Sequence, residues 1–290
     1  MKITNKFNLP KTLLNTIERD PYTKGEARIS ATGLLKPPRI GLLYSKHANE
    51  IETDVADHIW SIFGRAVHSI AETGGDEEHL PEERLFTTVR GWVVSGALDV
   101  QRLGGNAISI TDYKTTSAWA VMNGKKDWEY QLNLYAELVR AAKDMEVQSL
   151  SVCAFIRDWA RYEAAANTNY PQAPAVMIDI PLWPRAQAVA FLEERVRIHQ
   201  EAQASWDMGD EPPECTDEER WLRPNRYAVW KDGNKRPTKV FDGMPEAAAF
   251  AAEKGLRVET RKGEPVRCTG NYCNVNQWCK QYAQWQKDNA

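Results

Sequence analysis

Three charged residues stand near the ends of two β-rich runs. Asp99 lies in Gly96-Ala97-Leu98-Asp99-Val100, and Asp112-Tyr113-Lys114 closes the run that begins at Ala107. Gly104-Gly105-Asn106 separates the runs and reads as a hairpin turn. An antiparallel pair of this length can bring the two carboxylates together. Adjacent carboxylates repel, and a hard divalent cation relieves the repulsion. Mg²⁺ takes few protein ligands, so two aspartates and a backbone carbonyl suffice. Side chains alternate along a strand, so Lys114 shares a side with Asp112. There its ammonium can orient a water or steady a pentacovalent phosphate. An Asp-x-Lys tripeptide alone is common and reads as a surface ion pair of little worth.

Three further features add weight. His68 and Glu72 are four apart on a helical pattern, off its apolar stripe, with Gly64 one turn earlier. The glycine allows another element to approach closely, and a His–Glu pair can add to a metal site. Gln131 and Tyr135, within QLNLYA, project from one face of a second helix. Thr115, Thr116 and Ser117 follow the lysine directly and suit phosphate oxygens.

Apolar periodicity supplies the elements that must position these groups. Ile51, Val55, Ile59, Ile62, Ala66 and Ile70 predict a helix over 49–73, ended by Gly74-Gly75. A strand near 84–90 and the hairpin follow. Next come a helix over 126–143, strands over 148–157 and 175–182, and a helix from Pro184 to about 205. The expected core is therefore mixed α/β, in the order α-β-β-β-α-β. Residues 1–48 read as loop-rich, since Lys36-Pro37-Pro38-Arg39 cannot be helix interior.

A Gly-, Asp-, Glu- and Pro-rich linker at 207–214 divides the chain into a domain over 1–205 and a subdomain over 206–290. In the latter, Thr216-x-x-Glu219 reads as a capping box, 227–231 with 239–241 as a hairpin, and 245–254 as a helix.

The chain has 290 residues, 42% hydrophobic and 27% charged, which is globular composition. A net charge of −3 excludes a globally basic nucleic-acid coat but not a local basic groove. No window approaches a membrane span. MKITNKFNLPKTLLNT lacks the core and cleavage site of a signal peptide, so a cytoplasmic location is expected. No Walker motif is present, so no ATP site is expected. Five cysteines, Cys153, Cys215, Cys268, Cys273 and Cys279, make an odd count that argues against a disulfide framework. The C-terminal clustering of the last three points to metal.

GRAVH, GALD, DYKTT and QLNLY, in this order and spacing, resemble the RecB-like branch of the PD-(D/E)XK nuclease superfamily. They are similar to phage-encoded and CRISPR-associated RecB-like exonucleases. The likeness covers roughly residues 28–157, and SATGLLKPPRIGLL also resembles an N-terminal element of the phage members. It implies a Mg²⁺- or Mn²⁺-dependent deoxyribonuclease in recombination, repair or degradation, with a recombinase or helicase as a further partner. It maps the metal ligands onto His68, Asp99, Asp112 and the carbonyl of Tyr113, and catalysis onto Asp99, Asp112 and Lys114. Gln131, Tyr135 and Thr115 are then expected at the DNA. A catalytically weak nuclease-fold DNA-binding scaffold and an RNA-processing nuclease are the alternatives. Iron–sulfur members carry one N-terminal and three C-terminal cysteines; here none precedes Cys153. Cys215, Cys268, Cys273 and Cys279 are thus candidate ligands of a 4Fe-4S cluster or Zn²⁺, with buried free thiols as the plain alternative.

Overall fold

Strand Trp92–Gly104 is the axis of the central sheet, and its two edges differ. One edge pairs antiparallel with His79–Val89 along nearly its whole length. The other is shared: Ile29–Ser30 pairs in parallel with Val94 and Ser95, and Ala107–Thr116 pairs antiparallel from Gly104 to Val100. Ala107–Thr116 then pairs in parallel with Glu146–Ile156, which pairs antiparallel with Ala175–Ile180. The protein is therefore mixed α/β, with a mixed six-stranded sheet flanked by helices. A computed structural model describes residues 1–19 and 23–289.

Two parallel neighbours need a crossover, and helix Lys126–Lys143 supplies it. Its Trp128, Leu132, Leu138 and Val139 join Leu98, Ile108, Ile110, Leu150 and Val152 in one buried cluster. At about 25 cal/mol per Å² of apolar surface removed from water, each such side chain contributes roughly 1.5–3 kcal/mol. Helix Ile59–Glu72 packs against Ala107–Thr116, and helix Arg185–Asp207 against Lys126–Lys143.

The first helix starts later than its apolar spacing predicts. Glu52–Asp54 is a short strand, and the carboxylate of Asp54 accepts the Ala56 N–H at 3.0 Å. Asp57 reciprocates on the Asp54 N–H at 2.9 Å, so a capping box opens a 3₁₀ turn over Val55–His58 before the helix proper. Residues 1–48 are also more helical than expected, with helices Lys11–Glu18, Ala31–Leu34 and Pro38–His47. Pro38 occupies a first turn, where its missing N–H costs nothing.

The chain forms two compact units, Met1–Pro38 with Ala48–Glu211, and Arg39–His47 with Pro212–Ala290. The division corrects the expected boundary twice. Helix Arg185–Asp207 carries the first unit past 205. Helix Pro38–His47, apart from its first residue, belongs with the second unit, where the Arg39 Nε donates to the Pro213 carbonyl at 3.0 Å. Within that unit Arg226–Trp230 is the middle strand, between Lys239–Phe241 and Arg257–Arg261. Helix Met244–Lys254 covers Val229 with Ala247 and Ala251. The Thr216/Glu219 box forms, at 2.9 and 3.2 Å, but closes only a turn, because Trp221 turns left-handed (φ +54°).

His199, on helix Arg185–Asp207, sets its Nε2 3.1 Å from the Leu34 carbonyl. Burial, reinforced by the charge of Arg195, lowers its pKa to about 4. The unfolded chain binds this proton near pH 6.5 and the native chain does not, so stability falls as pH drops from about 6.5 towards 4 and is unaffected above. The loss should be about 2 kcal/mol at pH 5 and about 3 kcal/mol at pH 4. Urea midpoints at pH 7 and pH 5 should converge in His199→Gln and stay apart in the unaltered protein.

Candidate metal centre

The site forms where two strands separate. The ladder between Trp92–Gly104 and Ala107–Thr116 ends at Val100 and Thr111. Beyond it the carboxylate of Asp99 takes over the partner's backbone, its Oδ2 accepting the Tyr113 N–H at 2.7 Å. Ile29–Ser30 pairs only with Val94 and Ser95, so that edge from Gly96 to Asp99 has no strand partner. A cavity of about 650 Å³ opens there, lined by Gly96, Asp99, Asp112, Lys114, Gln131 and Tyr135 among others. Gly96 makes the closure possible: a Cβ at this position would stand 2.5 Å from Leu138 Cδ1 and 2.8 Å from Tyr135 Cε1. Only a residue without a side chain lets helix Lys126–Lys143 approach this closely.

The charged side chains fall into two groups. In the first, Asp112 is 2% exposed and forms an ion pair with Lys114. Its Oδ1 accepts Gln131 Nε2 at 3.0 Å, and the same amide nitrogen donates to the Tyr135 hydroxyl at 2.9 Å. Its Oδ2 accepts no well-directed hydrogen bond. Burial pushes the Asp112 carboxyl upward, opposed by the Lys114 ammonium and assisted by the charge of Asp99.

In the second group, His68 Nδ1 lies 3.1 Å from Glu82 Oε1 and 3.3 Å from Asp99 Oδ1. The hydrogen bond to Asp99 leads the shift of the imidazole to about 9, against its burial. The ring therefore carries a proton at neutral pH between two carboxylates. Ligand atoms of His68, Glu82 and Asp99 all lie within 4.8 Å of one another. One imidazole and two carboxylates suit a divalent cation of intermediate hardness, which binds the ring in its neutral form. The Tyr113 ring stands edge-on to His68 with centroids 6.0 Å apart.

Of the residues singled out in the sequence, the fold brings His68, Asp99, Asp112, Lys114, Gln131 and Tyr135 to one cavity. Several roles change. Thr115 alternates away from Asp112 and Lys114, and its buried hydroxyl has no partner, so it does not face the site. Glu72 lines the cavity but is not the carboxylate beside His68; Glu82 is. Gly64 meets no other element, since a Cβ there would find open space. Gln131 and Tyr135 are largely buried in the cavity wall, where Gln131 donates both to Asp112 and to the Tyr135 hydroxyl. Glu82 escapes the sequence reading because the strand is expected only near 84–90, whereas it begins at His79. Counting outward from the Arg90-Gly91 turn would have found it, because that count sets it opposite Asp99.

In the second unit Cys215, Cys268, Cys273 and Cys279 line one small cavity with Arg39. Arg39 Nη1 approaches Cys279 Sγ at 3.8 Å. Burial pushes the thiols of Cys215 and Cys268 up to about 12 and about 11. Among the described residues no three cysteine sulfurs lie within 4.8 Å of one another. Four thiolates around one zinc stand about 3.8 Å apart, as Zn–S bonds of about 2.3 Å require. The sulfurs are thus spread wider than a closed zinc site. Cys153 belongs to the first unit, on Glu146–Ile156.

No family model and no curated protein matches the chain. Among solved structures it is similar to the one described as "Crystal structure of SSO0001". The identity is 18% over 65% of this chain and 85% of that one, with a TM-score of 0.44. Among the described residues no helix is long and apolar enough to cross a membrane.

Gln131→Ala should leave a buried carboxylate short of a donor, at a cost of about 1–3 kcal/mol. Its melting temperature and its Mn²⁺ affinity by calorimetric titration should both fall. Thr115→Val, on the opposite face, should leave the affinity within error of the unaltered protein.

Proposed function

We propose that the chain is a metal-dependent deoxyribonuclease of the RecB-like PD-(D/E)XK type, acting from DNA ends. The observation that carries this reading is the meeting of Asp99, Asp112, Lys114 and His68 in one cavity at the parting of two strands. The element order around them, helix, three strands, helix, strand, is the order the resemblance implies. His68, Asp99, Asp112 and the Tyr113 carbonyl would hold Mg²⁺ or Mn²⁺, which would supply Lewis-acid charge and lower the pKa of water. The chain's own groups do the rest. Lys114 presents an ammonium to charge developing on the phosphate. Gln131, tied to the Tyr135 hydroxyl, fixes the Asp112 carboxylate, so that a ligand need not be ordered when substrate arrives. Exposed Trp60, with the Arg157 guanidinium 4.9 Å from its ring centroid, offers a base-stacking surface on the same unit.

Asp99→Ala, Asp112→Ala and Lys114→Ala should each lower cleavage of end-labelled linear DNA by ~10³ or more while the circular dichroism spectrum is kept. EDTA should stop cleavage, Mg²⁺ or Mn²⁺ should restore it, and circular DNA should be spared. Full activity in any one folded variant overturns the assignment.

The four cysteines around the second unit's cavity are assigned to a metal, with a 4Fe-4S cluster ahead of Zn²⁺. Supporting a shared ligand is their gathering around one small cavity; the order between the two metals follows the resemblance. Anaerobically purified protein should be brown and contain iron. Zinc in its place would reverse the order, and neither metal would leave four desolvated thiols.

A further inference from the structure

We propose that Glu82 is a direct ligand of the divalent cation, binding beside His68 and Asp99; this rests on the nuclease reading of the same site. Glu82 stands on His79–Val89 directly opposite Asp99, between the pairs Pro81–Val100 and Glu83–Leu98. Residues opposite each other in an antiparallel pair share a face, so both carboxylates belong to the side of the sheet that carries the cavity. Glu82 and Asp99 both line it.

The ladder omits this one pair, and Glu82 has φ +48°. Side chains other than glycine rarely adopt that conformation, because their Cβ crowds the following carbonyl oxygen. Nothing in the local sequence asks for it: no turn falls here and the register on either side is the same. Strain of this kind persists where surroundings impose it, and it gathers at sites that use it to aim a side chain.

The aim is visible. Glu82 Oε1 reaches His68 Nδ1 at 3.1 Å, and the imidazole is shared with Asp99 Oδ1 at 3.3 Å. Among the described residues no Lys or Arg forms an ion pair with Glu82, whereas its neighbour Glu83 is met by Lys143 and by Gln101. Two carboxylates around a single imidazole carry more negative charge than that ring can neutralise. A divalent cation within reach of all three ligand atoms balances it. An imidazole with two carboxylates fits Mn²⁺ better than Ca²⁺, which seeks six to eight oxygens.

The experiment is Mn²⁺ titration of the full chain by calorimetry, in parallel with melting curves. Glu82→Gln keeps the shape and removes the charge; its Mn²⁺ affinity should fall by ~10-fold or more. Glu82→Gly accepts the left-handed backbone without strain. It should lose the same affinity while melting no lower than the unaltered protein, a combination that a merely structural role does not produce. Glu72→Gln, which removes a charge from the same cavity, separates ligation from bulk electrostatics. A loss there equal to that of Glu82→Gln overturns the proposal. So does unchanged affinity in both Glu82 variants when the unaltered protein binds Mn²⁺, and that result leaves the nuclease reading standing. An unaltered protein that binds no Mn²⁺ overturns both.

Discussion

Past Val100 and Thr111 two paired strands cease to bond through their backbones, and the Asp99 carboxylate accepts the Tyr113 N–H in place of a strand carbonyl. A buried amide without a partner costs about 1–3 kcal/mol, so a strand cannot leave its neighbour freely. Asp99 removes that cost at the point of parting and is itself held by it. The cavity, the exposure of Lys114 to it and the access of His68 to Asp99 all follow from that exchange. Ile29–Ser30 lends its support two residues before Gly96 and goes no further, which keeps the gap short.

The opposite wall is set by close approach. Helix Lys126–Lys143 brings Tyr135 and Leu138 onto Gly96 at distances no Cβ would allow. Its burial therefore does two things. It contributes to the apolar core through Leu132, Leu138 and Val139, and it delivers Gln131 to Asp112. A buried carboxylate needs such partners, because burial alone drives it towards the neutral acid, which binds cations poorly. Lys114 opposes that drive and Gln131 donates to the carboxylate, while His68 stands between Asp99 and Glu82.

Charge is the currency linking fold to function in this site. Glu72, Glu82, Asp99 and Asp112 line one cavity with Arg65, Arg84, Lys114 and His68. Glu82 and Asp99 converge on the His68 imidazole. On the proposed reading a divalent cation would displace the proton of that ring, which would couple ligation to proton release. The cysteines of the second unit show the same logic with other atoms. Burial pushes the thiols of Cys215 and Cys268 upward, and a metal bound there would supply the positive charge that thiolates need.

Much of this was legible from local pattern. Period-two alternation placed Asp112 and Lys114 on one face, the Gly-Gly-Asn turn set their hairpin, and helical spacing paired Gln131 with Tyr135. The same alternation, applied one residue further, already turns Thr115 away. What the sequence could not determine was how far paired strands stay paired, because that depends on groups distant along the chain. Glu82 takes its backbone conformation from the strand opposite and the helix bearing His68, and no propensity of Pro-Glu-Glu-Arg encodes it. Gln131 meets the Asp112 carboxylate because Gly96, 35 residues earlier, lets its helix come close. Residue types and periods settled which side chains could do chemistry. Packing decided which of them touch, since contact energies between remote segments are summed only when the chain is folded.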